Sequence, residues 1–246
     1  MQALPFSKHS KLNWQFGLLL ILLFGIPRFW LVLEANHTGN YRFIAIIFVL
    51  MVITPYLFLG KEGRKTIGIK KPEKYHWLLI SFVLGILFCG IVYVTGIWLY
   101  GNSIENWFVY ISNSYKGQLL GMTDDTRFTF FIIFAIIGMT FSPIGEEFLY
   151  RGLIHKSFST SFGDKNARYI DSTAFALTHL AHFGIVYIAA GFTFLPLPAA
   201  LWVAFMFLSG LLFAVAKLKT GSIWGAVACH AGFNLAMTWF VFYRLL

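Results

Sequence analysis

Apolar stretches of 18 or more residues recur along the chain, and that recurrence restricts it to a narrow set of folds. Segments of this length, poor in charge, read as α-helices that cross a bilayer. Their coarse boundaries are 13–34, 43–59, 76–100, 128–158, 168–190, 197–217 and 221–243. The expected fold class is therefore all-α: a polytopic membrane helical bundle of about seven, or eight, transmembrane helices. Composition agrees, since 58% of residues are hydrophobic and 12% charged, about half the charged share of soluble domains. Pro143 and Gly145 interrupt the fourth run, and the segment 183–198 is read as a place where the fifth breaks or re-enters. A further helix near 104–120, with Trp107, Phe108 and Tyr110 among polar residues, reads as lying along the membrane interface.

No polar linker, repeat or low-complexity tract divides the chain, so one integral membrane domain over 1–246 is expected. The run near 14–34 is too long for the apolar core of a signal peptide and lacks a small-residue cleavage site, so it is read as a retained span. Cys89 and Cys229 both fall in apolar segments, and no paired Cys/His metal pattern occurs. The net charge of +9 has no basic amphipathic face to go with it, which argues against nucleic acid. Topology accounts for it instead. Lys8 and Lys11, then Lys61, Arg64, Lys65, Lys70, Lys71 and Lys74, fall on one side of the membrane. Lys156, Lys165, Arg168, Lys217 and Lys219 join them there, thirteen in all, against Arg42, Lys116, Arg127 and Arg244 on the other. The positive-inside rule makes the richer side cytoplasmic, with the N-terminus inside and the C-terminus on the opposite side. Arg28 and Arg151 remain within spans.

Glu146 lies ten residues from Lys156, His179 eleven from Arg168, and His230 eleven from Lys219. At 1.5 Å per residue, each is roughly 15 Å into the membrane, about half of a ~30 Å hydrocarbon core. Three helices thus bring an acid or an imidazole to one level. Glu147 and Arg151, spaced i and i+4 with the acid first, are expected to neutralise one another. Glu146 is turned about 100° from Glu147 on a regular helix, and no charged partner is evident for it. An ionisable side chain so placed is a functional candidate by default. His230 and Asn234 share a helix face and could supply hydrogen bonds to an oxyanion. His182, nearer the outer end of its span, reads equally as a core histidine.

Three motifs in order, "EEFLYR" (Glu146 to Arg151), "FALTH" (Phe175 to His179) and "HAGFN" (His230 to Asn234), resemble those of the CPBP family of intramembrane proteases, the CAAX-protease and bacteriocin-processing group. The resemblance covers about residues 128–240, the expected catalytic core. It implies that Glu146 and His179 activate water, that His230 and Asn234 steady the tetrahedral intermediate, and that Glu147, Arg151 and Phe175 give structural support. Family members are usually described as metalloproteases. No cofactor is certain from the sequence: Glu146, His179 and His230 could hold zinc through three ligands with an open position, or act without a metal, the reading preferred here. A cavity open to the cytoplasmic half is expected. The expected partners are the lipid bilayer and a peptide or protein substrate, prenylated or otherwise membrane-anchored. Two other classes compete with an endopeptidase. One is a proton-coupled transporter, since mid-membrane acids and histidines also mark proton relays. The other is a non-catalytic scaffold or bacteriocin-immunity protein.

Overall fold

A computed structural model describes residues 12–116, 119, 121–189 and 191–246; Lys8 and Lys11 of the charge count lie outside the described residues. Helix α1 (Trp14–Thr38) opens where the Asn13 side chain accepts from the Phe16 N–H at 3.0 Å. It closes at Gly39, whose left-handed backbone returns its N–H to the Ala35 carbonyl. There follow α2 (Ile44–Phe58), a short α3 (Lys61–Thr66), α4 (His76–Tyr100) and α5 (Trp107–Lys116). Thr123 and Thr126 form a capping box at the start of α6 (Asp124–Glu147), satisfying N–H groups that the first turn leaves free. α6 runs into π-helical turns over Phe148–Ile154 and on into α7 (His155–Thr178). Gly163 interrupts α7 with φ +78°, a conformation a side chain would strain, and makes the corner at which the chain turns back. A 3-10 turn (His179–Ala181), strands β1 (Ile185–Ile188) and β2 (Gly191–Phe194), and helices α8 (Pro196–Thr220) and α9 (Ile223–Phe240) complete the order.

The protein is a polytopic helical bundle. Among the described residues, five helical stretches are long and apolar enough to cross a membrane: Trp14–Thr38, His76–Tyr100, Asp124–Ala181, Pro196–Thr220 and Ile223–Leu245. Two departures from the expected seven spans have physical causes. α2 is apolar but only 15 residues long. The expected fifth span, 168–190, stops at Ala181; residue 190 lies outside the described residues. Gly184, at φ +117°, turns the chain there. The β-branched and aromatic run Ile185–Ile188 then pairs antiparallel with 191–194, Ile185 opposite Phe194. The segment 183–198 is thus a hairpin followed by the proline-led start of α8. The interfacial helix is also corrected. α5 exists, but Trp107, Phe108 and Tyr110 are buried in the bundle, and the Trp107 indole donates to the Val92 carbonyl at 3.2 Å.

α4 and α9 pack backbone to backbone. A β-carbon at Gly85 would lie 1.9 Å from the Cys229 carbonyl oxygen, and one at Gly232 would lie 2.0 Å from that of Phe82. The two glycines are reciprocal, each admitting the other helix's main chain, as small residues do in membrane helix pairs. α9 carries His230, so this contact sets one wall of the site. Gly85→Val or Gly232→Val should lower stability in detergent by at least the 1–3 kcal/mol typical of overpacking. Gly90→Ala, with no neighbour within 4 Å of the added carbon, should leave the melting temperature unchanged.

Candidate active site

Within this bundle a cavity of about 510 Å³ gathers polar side chains of three helices and of the turn after α7. Arg28 comes from α1, Glu146 from α6, His179 and His182 from that turn, and His230 and Asn234 from α9. Phe175 and Phe213 lie among its otherwise apolar lining.

Glu146, expected to lack a charged partner, has one. Arg28 Nη2 donates to its Oε1 at 3.1 Å and Nη1 to its Oε2 at 3.2 Å, with both side chains buried. Ser142 donates to Oε1 at 2.6 Å, and Arg28 Nη1 also reaches Thr178 Oγ1 at 3.1 Å. A bidentate guanidinium on a carboxylate is the strong form of a charge-assisted bond. Helical rotation correctly separated the two glutamates but could not show which other helix supplied the second cation. The signal was there: Arg28 lies in a span whose acid, Glu34, is six positions away and not at the i+3 or i+4 spacing that pairs side chains on a helix.

Glu147 looks the other way. Its Oε1 accepts from His230 Nδ1 at 2.8 Å, and its Oε2 lies 3.2 Å from Arg151 Nε. That second contact is an ion pair by distance, but the N–H does not point along it. Arg151 is instead seated over the Phe175 ring at 4.4 Å, near Phe213, with Asp171 Oδ1 3.8 Å from its Nε. Asp171 in turn accepts from His155 Nδ1 at 2.8 Å. The seven residues Phe148–Ile154, all buried, are π-helical, a geometry that recurs at functional sites.

Both imidazoles have their Nδ1 hydrogens assigned by their partners. His179 Nδ1 lies 2.8 Å from the Phe175 carbonyl, which can only accept, and His230 Nδ1 faces the Glu147 carboxylate. Each neutral ring therefore keeps its lone pair on Nε2. Asn234 donates one amide hydrogen to the Gly138 carbonyl at 2.9 Å and keeps the second. His182 joins the site rather than the core, its ring 5.4 Å from that of His179.

Zinc on Glu146, His179 and His230 does not fit this arrangement. The imidazoles carry the outer partners that metal-ligating histidines usually have, but both Glu146 oxygens are held by Arg28, whose fixed charge would repel the ion. Among the described residues, no three His, Cys, Asp or Glu side chains form a metal cluster.

The model of the Rce1-like family, type II CAAX prenyl endopeptidases, matches residues 128–236. Those residues are similar to the CAAX-endopeptidase type. No curated protein and no solved structure matches the chain. The matched segment contains Glu146, Glu147, Arg151, Phe175, His179, His230 and Asn234; Arg28 lies well before it. With its apolar helices, the chain is an integral membrane protein, and residues 128–236 are similar to a family of proteases.

Removing one member of a buried ion pair costs about 3–5 kcal/mol, because the other is left uncompensated. Arg28→Met should destabilise the protein by that order in detergent denaturation. The double variant Arg28→Met, Glu146→Gln should recover most of the loss, since no charge then remains alone. Loss in the double variant equal to the sum of the two singles would show that the pair does not act as a unit.

Proposed function

We propose that the protein is an intramembrane endopeptidase that hydrolyses a membrane-associated polypeptide with water activated by Glu146 and His179. The observation that carries this reading is the convergence, in one apolar cavity, of a buried carboxylate and two imidazoles whose Nδ1 hydrogens are already committed. Glu146 accepts three hydrogen bonds from Arg28 and Ser142. A carboxylate has about four acceptor sites, so one remains for a water. His179 Nε2 offers the second acceptor, and the pair can take the proton as the water oxygen attacks the peptide carbonyl. The proton then passes to the leaving amine as the C–N bond breaks.

The tetrahedral oxyanion needs donors at the moment its charge develops. The free amide hydrogen of Asn234 is one. His230 becomes the other when its Nε2 also carries a hydrogen in place of the neutral ring's lone pair, with Glu147 beneath it as counter-charge and Arg151 behind Glu147. Glu147 therefore has two duties: it meets the Arg151 charge and it sets the orientation of His230. The substrate's apolar segment would lie along the cavity walls, which carry few polar groups.

The test is turnover of a quenched apolar peptide by purified protein in detergent. Asn234→Ala should lower turnover by about 10²–10³, the usual loss of one oxyanion donor, with little change in KM. Glu146→Gln in the Arg28→Met background, which leaves no unmatched charge, should abolish it. Wild-type turnover by a folded Glu146→Gln, Arg28→Met protein would remove Glu146 from the mechanism.

A further inference from the structure

Peptide hydrolysis takes one proton from water and gives one to the leaving nitrogen, and the cavity holds an imidazole that the first transfer does not use. His182 lines the cavity beside His179 but neither activates the water nor holds the oxyanion. Its position follows from the local fold. α7 gives way after Thr178 to the 3-10 turn His179–Ala181, and in such a turn side chains three apart eclipse. On a continued α-helix they would diverge by about 60°. His179 and His182 are three apart, so both rings face the cavity, with centres 5.4 Å apart and planes 34° from parallel.

The backbone here is held from several sides. The N–H groups of His182 and Phe183 both donate to the His179 carbonyl, at 3.0 and 3.2 Å. The Trp202 indole on α8 donates to the same carbonyl at 3.0 Å, and Asn36 on α1 donates to the Ala181 carbonyl at 2.9 Å. The His182 ring is left free. Among the described residues no hydrogen bond engages either of its nitrogens, whereas the Nδ1 atoms of His179 and His230 are both committed. Of the three cavity imidazoles, His182 alone has both tautomers open to it. The charged and titratable groups around it are Arg28, Glu146 and His179.

Glu146 is poorly placed to deliver the second proton. Arg28 and Ser142 fix its carboxylate through three hydrogen bonds, so it cannot swing from the water to the leaving nitrogen. His179 is pinned in the same way by the Phe175 carbonyl. We propose that His182 is a further catalytic residue, which relays the proton from His179 to the leaving amine. His179 Nε2 takes the proton as the water oxygen bonds to the carbonyl carbon. When the tetrahedral intermediate collapses, one nitrogen of His182 takes that proton from His179. Its other nitrogen gives up the hydrogen it already carries to the amide nitrogen, which leaves with the C–N electron pair. Both rings end neutral, His182 as its other tautomer, and no second cation is formed beside Arg28. At 5.4 Å between centres, the transfer is within reach of one hydrogen bond, or of one bridging water, once His182 turns on its side-chain torsions. The relay deepens the endopeptidase reading above and rests on it.

The test uses purified full-length protein in detergent and two substrates with one acyl part, a peptide amide and an activated aryl ester. An aryl oxide leaves without a proton, so the ester bypasses the relay while still needing water activation. His182→Gln keeps hydrogen-bonding groups of similar reach but cannot pass a proton, and His182→Ala removes the side chain. Both variants should lose about 10²–10⁴ in amide turnover, the usual contribution of proton transfer by a positioned side chain, and only a small fraction of that on the ester. Melting temperatures report folding. Equal losses on the two substrates make the residue structural and overturn the proposal, as does a His182→Gln protein that does not fold. Wild-type amide turnover by His182→Gln overturns it directly. The endopeptidase reading is judged separately, by the wild-type protein: if it cuts neither substrate, that reading falls and the relay with it. If it cuts the amide and the Arg28→Met, Glu146→Gln protein does not, that reading stands whatever His182 does.

Discussion

Two adjacent carboxylates cannot be carried into a bilayer unless each is met by a separate cation, and the bundle is arranged around that demand. Glu146 and Glu147 leave α6 in different directions, one to Arg28 on α1, the other to His230 on α9 and Arg151 on the π-helical turn. Each pairing ties a different helix to α6. Desolvating four charged groups is costly, and mutual attraction offsets that cost only where geometry is good and remaining polar atoms find partners. The bidentate contact on Glu146 and the short bond from His230 to Glu147 meet that condition. Arg151 meets it with aromatic faces instead of oxygen acceptors.

The charge pairs also explain how an imidazole can be held still in a largely apolar interior. His230 stacks on Phe213 with ring centroids 4.7 Å apart and planes 13° from parallel, while Glu147 fixes its Nδ1. Its helix is immobilised in turn by the glycine contact with α4. Behind these lies a second tier, His155 to Asp171 to Arg151, whose members do not line the cavity and in which the acid keeps the Arg151 charge in place. The side chains proposed to act, on α6, on the turn after α7 and on α9, are thus held by neighbours proposed only to position them.

Much of this was legible in the sequence, and what was not has a common cause. Apolar runs marked the helices well, because length and periodicity are local properties: α4 begins and ends where its run does. The motif residues Glu146, His179 and His230 could be placed at one depth by counting from the flanking cations. Arg28 was visible as a charge in a span, yet its partner is 118 residues away in sequence, and nothing local names it. The hairpin at 185–194 was hidden for a related reason: Ile185–Ile188 is as apolar as a helix segment, and only pairing with 191–194 makes it a strand. Trp107 misled because aromatic residues suit a headgroup region and a helix-packed core equally well. The expected opening of the cavity to the cytoplasmic half came from depth alone, and depth does not say on which side of the polar residues the empty space lies.

One short element has a consequence for the lipid around it. α2 has 15 residues, a rise of about 22 Å against a hydrocarbon slab of ~30 Å. A helix that falls short of the slab draws the bilayer surfaces toward each other around it. Ile44, Ala45 and Phe48 of α2 line the cavity, so lipid thinned around α2 would lie beside the site. Headgroup water would then stand nearer to Glu146 than across a slab of full thickness, and a short helix would serve the supply of water as well as the packing of the bundle.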